Sequence, residues 1–194
     1  MQGTAVISMD ASQSERDDRE LVARAKAGDA EAYGALYRRY AAEIYRYLCV
    51  RAGDAADAED LTEEVFFRAY QALGGYRERG WPFSAFLYRV AKNMLTDYYR
   101  ARKPDIPLSQ ADARPDALRP MDEALVNREE QKLLRQAIDQ LPPKYREVLI
   151  LRVILELPTA VVAKWMDQTE GAIRVQLHRA LEMLRGRIQV LHEE

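Results

Sequence analysis

Residues 82–103 read PFSAFLYRVAKNMLTDYYRARK, and this stretch predicts one long helix with two unlike faces. Pro82 suits a first helical turn, and no Gly or Pro follows before Pro104. Apolar residues recur at steps of three and four and so share one face: Phe83, Phe86, Leu87, Val90, Met94 and Tyr98. The opposite face carries bases and tyrosine but no acid: Arg89, Lys92, Thr96, Tyr99, Arg100 and Lys103. A helix that is apolar on one side and cationic on the other predicts packing on the first face and an anionic partner on the second.

The segments around this stretch also have helical patterns. The predicted helices lie near 18–27, 29–51, 54–73, 82–102, 121–139, 142–156, 158–166 and 169–191. Asp29 and Asp54 stand where N-caps are favoured, and Gly28 and Gly53 stand where helices end. No segment alternates apolar and polar residues in the manner of a strand. The fold class is therefore predicted to be all-α.

Proline marks a boundary between two helical blocks. Four of the eight prolines (Pro104, Pro107, Pro115 and Pro120) fall in a short interval with few large apolar groups. Such a composition buries too little surface to offset the entropy of ordering it. We therefore predict a disordered tail over 1–17, a domain over 18–102, a flexible linker over 103–121 and a second domain over 122–194.

Charge is unevenly distributed along the chain, although the net charge of the 194 residues is only −2. Residues 54–64 hold six acids and no base, whereas 76–103 hold seven bases and two acids. A second basic stretch covers 171–187. Two cationic faces and one acidic face predict at least two kinds of partner.

Composition also bounds the compartment. The apolar runs are too short to cross a membrane, and the N-terminus lacks the basic start and apolar core of a secretory signal. The single cysteine, Cys49, excludes an internal disulfide and favours a reducing cytosol. We expect a cytoplasmic protein with no membrane insertion.

The C-terminal block has the layout of a helix-turn-helix. A short helix, a turn around Asp167–Gln168 and a longer helix from Thr169 follow one another. The buried seam of the longer helix is predicted to be Ile173, Leu177, Ala180, Leu181, Leu184 and Ile188. The opposite face is predicted to be Arg174, Val175, His178, Arg179 and Glu182. In such motifs the second helix enters a major groove.

Four segments in order carry a resemblance to a known family: DAEAYGALYRRY…IYRYL…DAADAEDLTEEVFFRAY, PFSAFLYRVAKN, LPPKYREVLILR and TEGAIRVQLHRAL. Together they resemble the extracytoplasmic-function sigma factors of bacterial RNA polymerase, group 4 of the sigma-70 family. The resemblance runs from about residue 20 to 188. It implies a sigma-2 domain over 18–102 and a sigma-4 domain over 122–194, with no sigma-3 domain. The implied partners are core RNA polymerase through its β′ and β subunits, promoter DNA and an anti-sigma factor. The implied function is recognition of −35 and −10 promoter elements, promoter melting and transcription initiation.

The resemblance assigns the acidic segment to polymerase docking. In relatives the corresponding segment docks on a coiled coil of β′, which implies a polymerase-binding set of Asp57, Asp60, Leu61, Glu64, Val65 and Phe67. An alternative for the first-turn acids, Asp54 and Asp57, is that they complement the helix dipole. A calcium loop is excluded because the spacing of its ligands is absent.

The resemblance assigns the loop 74–82 and the cationic helix to the −10 element. The implied residues are Tyr76, Arg77, Arg79, Trp81, Arg89, Lys92, Asn93, Tyr99, Arg100 and Lys103. Extruding a base costs a few kcal/mol, and stacking on an aromatic ring returns roughly 1–3 kcal/mol. Trp81 could instead pack at the start of the helix. Pro82 departs from the usual family wording, so the base preference does not carry over.

The resemblance assigns the last helix to the −35 element through Thr169, Glu170, Arg174, Val175, His178 and Arg179. Many relatives have a small polar or basic residue in place of Val175 and Gln176, and an arginine in place of Leu181. These departures leave the −35 sequence open.

Three other classes of function follow less well from the sequence. A helix-turn-helix regulator that acts without polymerase would leave 54–103 without a role, and a helical adaptor would show no promoter binding. An enzyme is disfavoured because phosphate-cradling and zinc-binding motifs are absent. His178 has only one other histidine in the chain, His192, so we expect no metal site and no cofactor.

Overall fold

The computed structural model describes residues 16–77, 81–102, 134 and 136–193, and within these ranges the chain is helical with no strand. The helices are α1 (16–26), α2 (Ala30–Ala52), α3 (Ala55–Ala72), α4 (Phe83–Arg102), α5 (Pro143–Leu149), α6 (Thr159–Met166) and α7 (Glu170–Glu193). A 3-10 turn, Leu73–Gly75, follows α3, and a π-helical turn, Ile150–Ile154, extends α5. The all-α prediction is confirmed. None of the described helices is both long and apolar enough to span a bilayer.

The predicted helix caps are present. The Asp29 carboxylate accepts a hydrogen bond from the Ala32 amide at 3.1 Å, and the Asp54 carboxylate accepts one from the Ala56 amide at 2.9 Å. Gly53 ends α2 in the left-handed conformation with φ of 81°. Each side-chain cap stabilises its helix by about 0.5–2 kcal/mol.

The first helix begins earlier than the sequence predicts. Residues 16 and 17 are already helical, so the predicted tail over 1–17 is wrong at its last two residues; residues 1–15 lie outside the described ranges. The reason is Asp18, whose buried carboxylate accepts hydrogen bonds from the Arg39 guanidinium and the Tyr40 hydroxyl. This polar cluster attaches the start of α1 to α2.

The four N-terminal helices form one domain around α4, here called the N-terminal domain. Phe83, Leu87 and Met94 are buried in its core as predicted. Tyr99 is buried too, at 5% exposure, and its hydroxyl donates to the Arg51 carbonyl oxygen, so its predicted place on the exposed face is wrong. The buried surface of α4 is wider than one stripe because α2, α3 and α6 all contact this helix.

Residues 136–193 form the C-terminal domain, whose α6 and α7 make the predicted helix-turn-helix. Asp167, at the turn, has φ of 57°, and the Thr169 hydroxyl accepts a hydrogen bond from the Ala172 amide at 3.2 Å. Of the predicted α7 seam, Ile173 and Ala180 are fully buried, and the other members are half-buried. Of the helix predicted over 121–139, only residues 134 and 136–139 are described, and these are helical.

The two domains lie against each other. Tyr88 of α4 stacks on Trp165 of α6, with ring centroids 4.8 Å apart and an interplanar angle of 23°. Arg51 of α2 pairs with Glu147 of α5 at 2.8 Å. One hydrophobic cluster continues through this contact from the N-terminal to the C-terminal core. The linker predicted over 103–121 lies outside the described residues.

Candidate nucleic-acid interface

The cationic face of α4 is only partly open to solvent. Arg89, Asn93 and Arg100 are exposed, whereas Lys92 is half-buried. Arg100 lies 3.5 Å from the Asp97 carboxylate, an exposed pair that is worth little in water. The exposed part of this face can therefore accept a phosphate backbone, and Lys103, predicted to extend it, lies outside the described residues.

The loop before α4 is organised by Tyr76. Its ring packs 4.9 Å from the Phe86 ring, and its hydroxyl donates to the Trp81 carbonyl oxygen at 2.8 Å. The Arg89 guanidinium lies 4.6 Å from the centre of the half-buried Trp81 ring, within the range of a cation–π contact. Arg77, which follows Tyr76 in the chain, is exposed. The structure thus brings together the aromatic and cationic groups that the sequence assigned to one base-binding site; Arg79 lies outside the described residues.

The acidic segment on α3 divides into outward and inward residues. Asp60 and Phe67 face solvent, the latter at 57% exposure, while Leu61 and Glu64 are half-buried. Asp57 is held by the Tyr98 hydroxyl, which donates to its carboxylate at 2.7 Å. Asp60 and Phe67 are therefore the members of the predicted set that are most open to a partner.

Val65 does not belong to that surface. It is fully buried, so its predicted role as an exposed polymerase contact is wrong. It lies on the same inward stripe of α3 as Ala58, Thr62 and Ala69, which are buried as well. Helical periodicity places all four toward the core.

Phe67 belongs to an exposed aromatic patch whose other two members were not predicted. The patch consists of Tyr37 on α2 and Phe67 and Tyr70 on α3, all more than 40% exposed. Tyr37 packs edge-on against Phe66 at 4.7 Å, and Tyr70 packs against Tyr33 at 4.9 Å. Large exposed rings rimmed by acids are typical of a protein-binding surface. The signal in the sequence was the tyrosines on the polar faces of two amphipathic helices.

Helix α7 and the residue before it expose all of the residues predicted to contact the −35 element. Thr169, Glu170, Arg174, Val175, His178 and Arg179 are exposed along one face. Arg174 pairs with Glu170 at 2.7 Å, and His178 Nδ1 lies 3.4 Å from the Glu182 carboxylate. Because exposed ion pairs are worth little in water, Arg174 and His178 can leave these partners for DNA at a low cost in free energy.

Tyr145 on α5 is a neighbour of this face that sequence analysis missed. A hydrogen bond with Arg179 lowers the pKa of the Tyr145 hydroxyl below its ordinary value of 10.0, and the charge of Lys144 acts in the same direction. Arg179 is thereby positioned from outside its own helix. Nothing in the spacing of the sequence connects residues 145 and 179.

No cluster of three or more His, Cys, Asp or Glu side chains suitable for a metal ion occurs within the described ranges. The described contacts of His178 are those of a surface side chain beside Glu182.

Comparison with protein families assigns both domains. A family model described as Sigma-70 region 2 matches residues 36–104, and one described as Sigma-70, region 4 matches residues 131–184. The first match begins within α2 and covers α3 and α4, and the second covers α5, α6 and the first part of α7.

Curated relatives extend over most of the chain. The ECF RNA polymerase sigma factor BldN of Streptomyces coelicolor is 36% identical over 168 residues, which cover 85% of this chain and 63% of BldN. The chain thus spans less than two thirds of the length of that relative. The ECF sigma factor SigD of Mycobacterium tuberculosis is 34% identical over 182 residues, covering 91% of this chain and 85% of SigD. SigW of Bacillus subtilis is 30% identical, covering 89% and 97%.

Solved structures share the fold. CnrH in complex with the cytosolic domain of CnrY superposes with a TM-score of 0.61 at 22% identity, covering 91% of this chain and 97% of CnrH. The sigma factor RpoE in complex with the anti-sigma factor NepR, from Bartonella quintana, gives 0.56 at 16% identity, covering 81% and 97%.

Proposed function

The chain belongs to the extracytoplasmic-function family of sigma factors, and we propose that it is an alternative sigma factor that recruits core RNA polymerase to its own promoters. The observation that carries this proposal is the pairing of an acidic, aromatic surface with two cationic DNA-compatible faces, one in each matched domain. A sigma factor must bind polymerase and two promoter elements at once, and three separate surfaces meet that need.

Polymerase docking is proposed for α3. Asp60 and Glu64 supply charge, and Leu61 and the aromatic patch of Tyr37, Phe67 and Tyr70 supply apolar area. Interfaces draw most of their affinity from a few aromatic anchors inside a polar rim. The α3 surface has that composition, and the β′ subunit is the proposed receptor, with β as the second polymerase contact.

Recognition and melting of the −10 element are proposed for α4 and the loop before it. Trp81, with Arg89 over its ring, offers a stacking surface beside a cation. Further along the same helix lie Lys92, Asn93 and Arg100, which are proposed to contact the backbone of the DNA strand. A flipped nucleobase gains stacking energy on the Trp81 ring, while the basic side chains of α4 hold DNA phosphates.

Recognition of the −35 element is proposed for α7. One face of α7 exposes its N-terminal residues together with Arg174, Val175, His178 and Arg179, as a helix in a major groove requires. Arginine suits guanine because it can form two parallel hydrogen bonds with the base edge. Val175, at 51% exposure, offers apolar contact to a thymine methyl group.

An anti-sigma factor is a further proposed partner. The structurally similar RpoE was solved with the anti-sigma factor NepR, and CnrH was solved with the cytosolic domain of CnrY. We place the protein in the cytoplasm with its polymerase, as an initiation factor and not as an enzyme.

Direct binding to purified core RNA polymerase tests this proposal against the two remaining alternatives. A stable one-to-one complex with core polymerase, competed by another sigma factor, is the expected result. A helix-turn-helix regulator would bind promoter DNA without polymerase, and an adaptor would bind neither promoter nor core; either outcome would overturn the proposal.

A further inference from the structure

Lys26, the last residue of α1, contacts the loop that precedes α4. Its ammonium group donates a hydrogen bond to the carbonyl oxygen of Tyr76, 50 residues further along the chain. The same ammonium nitrogen lies 5.5 Å from the centre of the Tyr76 ring, within the range of a cation–π contact. A single lysine from α1 therefore contacts both the backbone and the side chain of Tyr76.

The polar groups of Tyr76 are all used inside the protein. Its amide donates to the Leu73 carbonyl oxygen at 3.1 Å, its carbonyl oxygen accepts from Lys26, and its hydroxyl donates to the Trp81 carbonyl oxygen at 2.8 Å. Its half-buried ring packs 4.9 Å from the Phe86 ring. Because its ring and its hydroxyl are already engaged, Tyr76 is suited to hold its neighbours in place and not to stack on DNA.

Trp81 is the aromatic residue of this loop that remains for a nucleobase. Its ring is half-buried, and the Arg89 guanidinium lies over the ring at 4.6 Å from its centre. A cation over one face leaves only the other face of the indole for stacking. Since Tyr76 holds the backbone of Trp81 and Arg89 holds its ring, the indole is ordered before DNA binds. Stacking on an ordered ring avoids the entropic cost of fixing that ring during binding.

We propose that Lys26 and Tyr76 are positioning residues of the −10 site: Lys26 fixes Tyr76, and the Tyr76 hydroxyl fixes Trp81, whose ring receives one nucleobase of the single strand. This inference rests on the proposed sigma-factor function and deepens its account of the same DNA-binding site. Tyr76, which the sequence assigned to DNA contact, acts through Trp81 instead. Lys26 lies outside the match to Sigma-70 region 2, which begins at residue 36.

Two labelled DNA strands separate base stacking from phosphate binding. Both are about 12 nucleotides long and have the same number of phosphates; one is a pool of random sequence, and the other is abasic at every position. The ratio of the two affinities measures what the bases contribute, because phosphate contacts are common to both strands. Each strand is titrated against the free chain and against its complex with core RNA polymerase.

The variants remove one contact at a time. Tyr76→Phe keeps the ring and deletes only the hydroxyl, and Lys26→Met is paired with the conservative Lys26→Arg. The control for the first is Tyr33→Phe, because the Tyr33 hydroxyl is also part-buried and donates to a backbone carbonyl oxygen, that of Phe66. The control for the second is Arg38→Met, which removes one positive charge from an exposed position on α2.

The affinity ratio should fall in the variants and persist in the controls. For the wild type, the random-sequence strand is expected to bind about 5- to 150-fold more tightly than the abasic strand, the effect of one base stacked on one ring. Tyr76→Phe should reduce this ratio by about two-fold or more, since one hydrogen bond is lost. Lys26→Met should reduce it as well, and Lys26→Arg should restore it, because arginine can make the same two contacts with Tyr76.

Trp81 fluorescence reports the position of the ring without DNA. A Trp165→Phe background leaves Trp81 as the single tryptophan of the chain. Quenching of its emission by acrylamide should increase in Tyr76→Phe and in Lys26→Met, because the indole is then held less firmly. Quenching in Tyr33→Phe should equal that of the background chain.

Three results would overturn the positioning role. The first is a wild-type ratio near one, because no base would then stack on the protein. The second is an unchanged ratio and unchanged quenching in Tyr76→Phe, because the Tyr76 ring alone would then suffice. The third is an equal loss on both strands in Tyr76→Phe, because the hydroxyl would then support the fold and not base stacking.

Binding of the wild type to core polymerase, measured in parallel, keeps the two proposals apart. Core binding together with an unchanged ratio in the variants refutes the positioning role alone. A ratio that falls in the free Tyr76→Phe chain, without any binding of the wild type to core polymerase, refutes the sigma-factor function alone.

Discussion

Glu147 and Arg51 are 96 residues apart in sequence, yet they form an ion pair of 2.8 Å with side chains only 5% and 4% exposed. The pair joins α5 of the C-terminal domain to α2 of the N-terminal domain. Because isolated buried charges are strongly unfavourable, each residue depends on the other for its place in the structure. This ion pair therefore helps to fix the position of one domain relative to the other.

Acid should open this interface. Burial alone would raise the pKa of Glu147, but the charges of Arg51 and Lys92 hold the pKa below its ordinary value of 4.5, so its contribution to the contact between the domains is fully present above pH 4.5 and is lost as pH falls through the lowered pKa. We expect Trp165 emission, measured in a Trp81→Phe background, to shift to the red within that window. The Glu147→Gln chain should show the shifted emission at neutral pH and no further step on acidification; a step of equal size in that variant would contradict the assignment.

Charge reversal on α3 should abolish polymerase binding. Asp60→Lys combined with Glu64→Lys places two positive charges in the proposed docking surface, and we expect core binding to weaken at least a hundred-fold, or about 2.7 kcal/mol. Helicity should persist, because the Glu64–Arg68 pair is exposed and contributes only about 0.3–0.5 kcal/mol. Competition binding to core polymerase measures the effect, with Glu31→Lys as the control. Wild-type affinity in the double variant would refute docking through α3.

The two DNA faces should respond differently to mutation. A bidentate arginine contact contributes roughly 1–3 kcal/mol of base discrimination, so Arg179→Ala should relax preference at one or two −35 positions. Lys92→Ala with Arg100→Ala should weaken complexes with every promoter, and each lost phosphate contact should reduce the salt slope by about 0.9. Open-complex affinity across a salt series on randomised −35 and −10 libraries measures both. A uniform loss from Arg179→Ala, or a changed −35 preference in the double variant, would reverse these roles.

The turn between α5 and α6 should be stabilised by glycine at residue 156. Glu156 has φ of 55°, a left-handed conformation that costs a residue with a Cβ about 1–2 kcal/mol. Glycine removes this cost but gives back about 0.4–1 kcal/mol through the larger entropy of the unfolded chain, so Glu156→Gly should raise the unfolding free energy by up to about 1.6 kcal/mol. Urea unfolding measures it. Glu156→Ala keeps the Cβ and should give no gain; an equal gain in both variants would show that the side chain, not the backbone, is the cause.

Local signals in the sequence predicted the helices and their ends. Asp29, Asp54 and Gly53 occupy the caps that their chemistry favours, and the turn at Asp167 lies where the helical periodicity breaks. The exposed face of α7 followed from its 3.6-residue period. These features depend on residues within one or two turns of each other, which is the range that sequence patterns report.

Burial set by distant contacts was not predictable in the same way. Tyr99 was assigned to an exposed surface, but its hydroxyl donates to the backbone carbonyl oxygen of Arg51. Val65 is a different case: its burial follows from the helical period it shares with Ala58, Thr62 and Ala69, and it was misassigned because the resemblance was followed instead. Glu147 and Arg51 each have the pattern of an ordinary surface charge. Their pairing depends on how two domains meet, and no spacing in the sequence encodes that contact.

Transcription by reconstituted polymerase tests the central claim most directly. Purified core RNA polymerase is combined with this protein on a genomic library, and run-off transcripts are mapped. The account predicts discrete start sites that require the protein, share a −35 and a −10 element, and disappear with the Asp60→Lys, Glu64→Lys double variant. Transcripts that are identical with and without the protein, in a reaction where another sigma factor activates the same core, would contradict the assignment of this chain as a sigma factor.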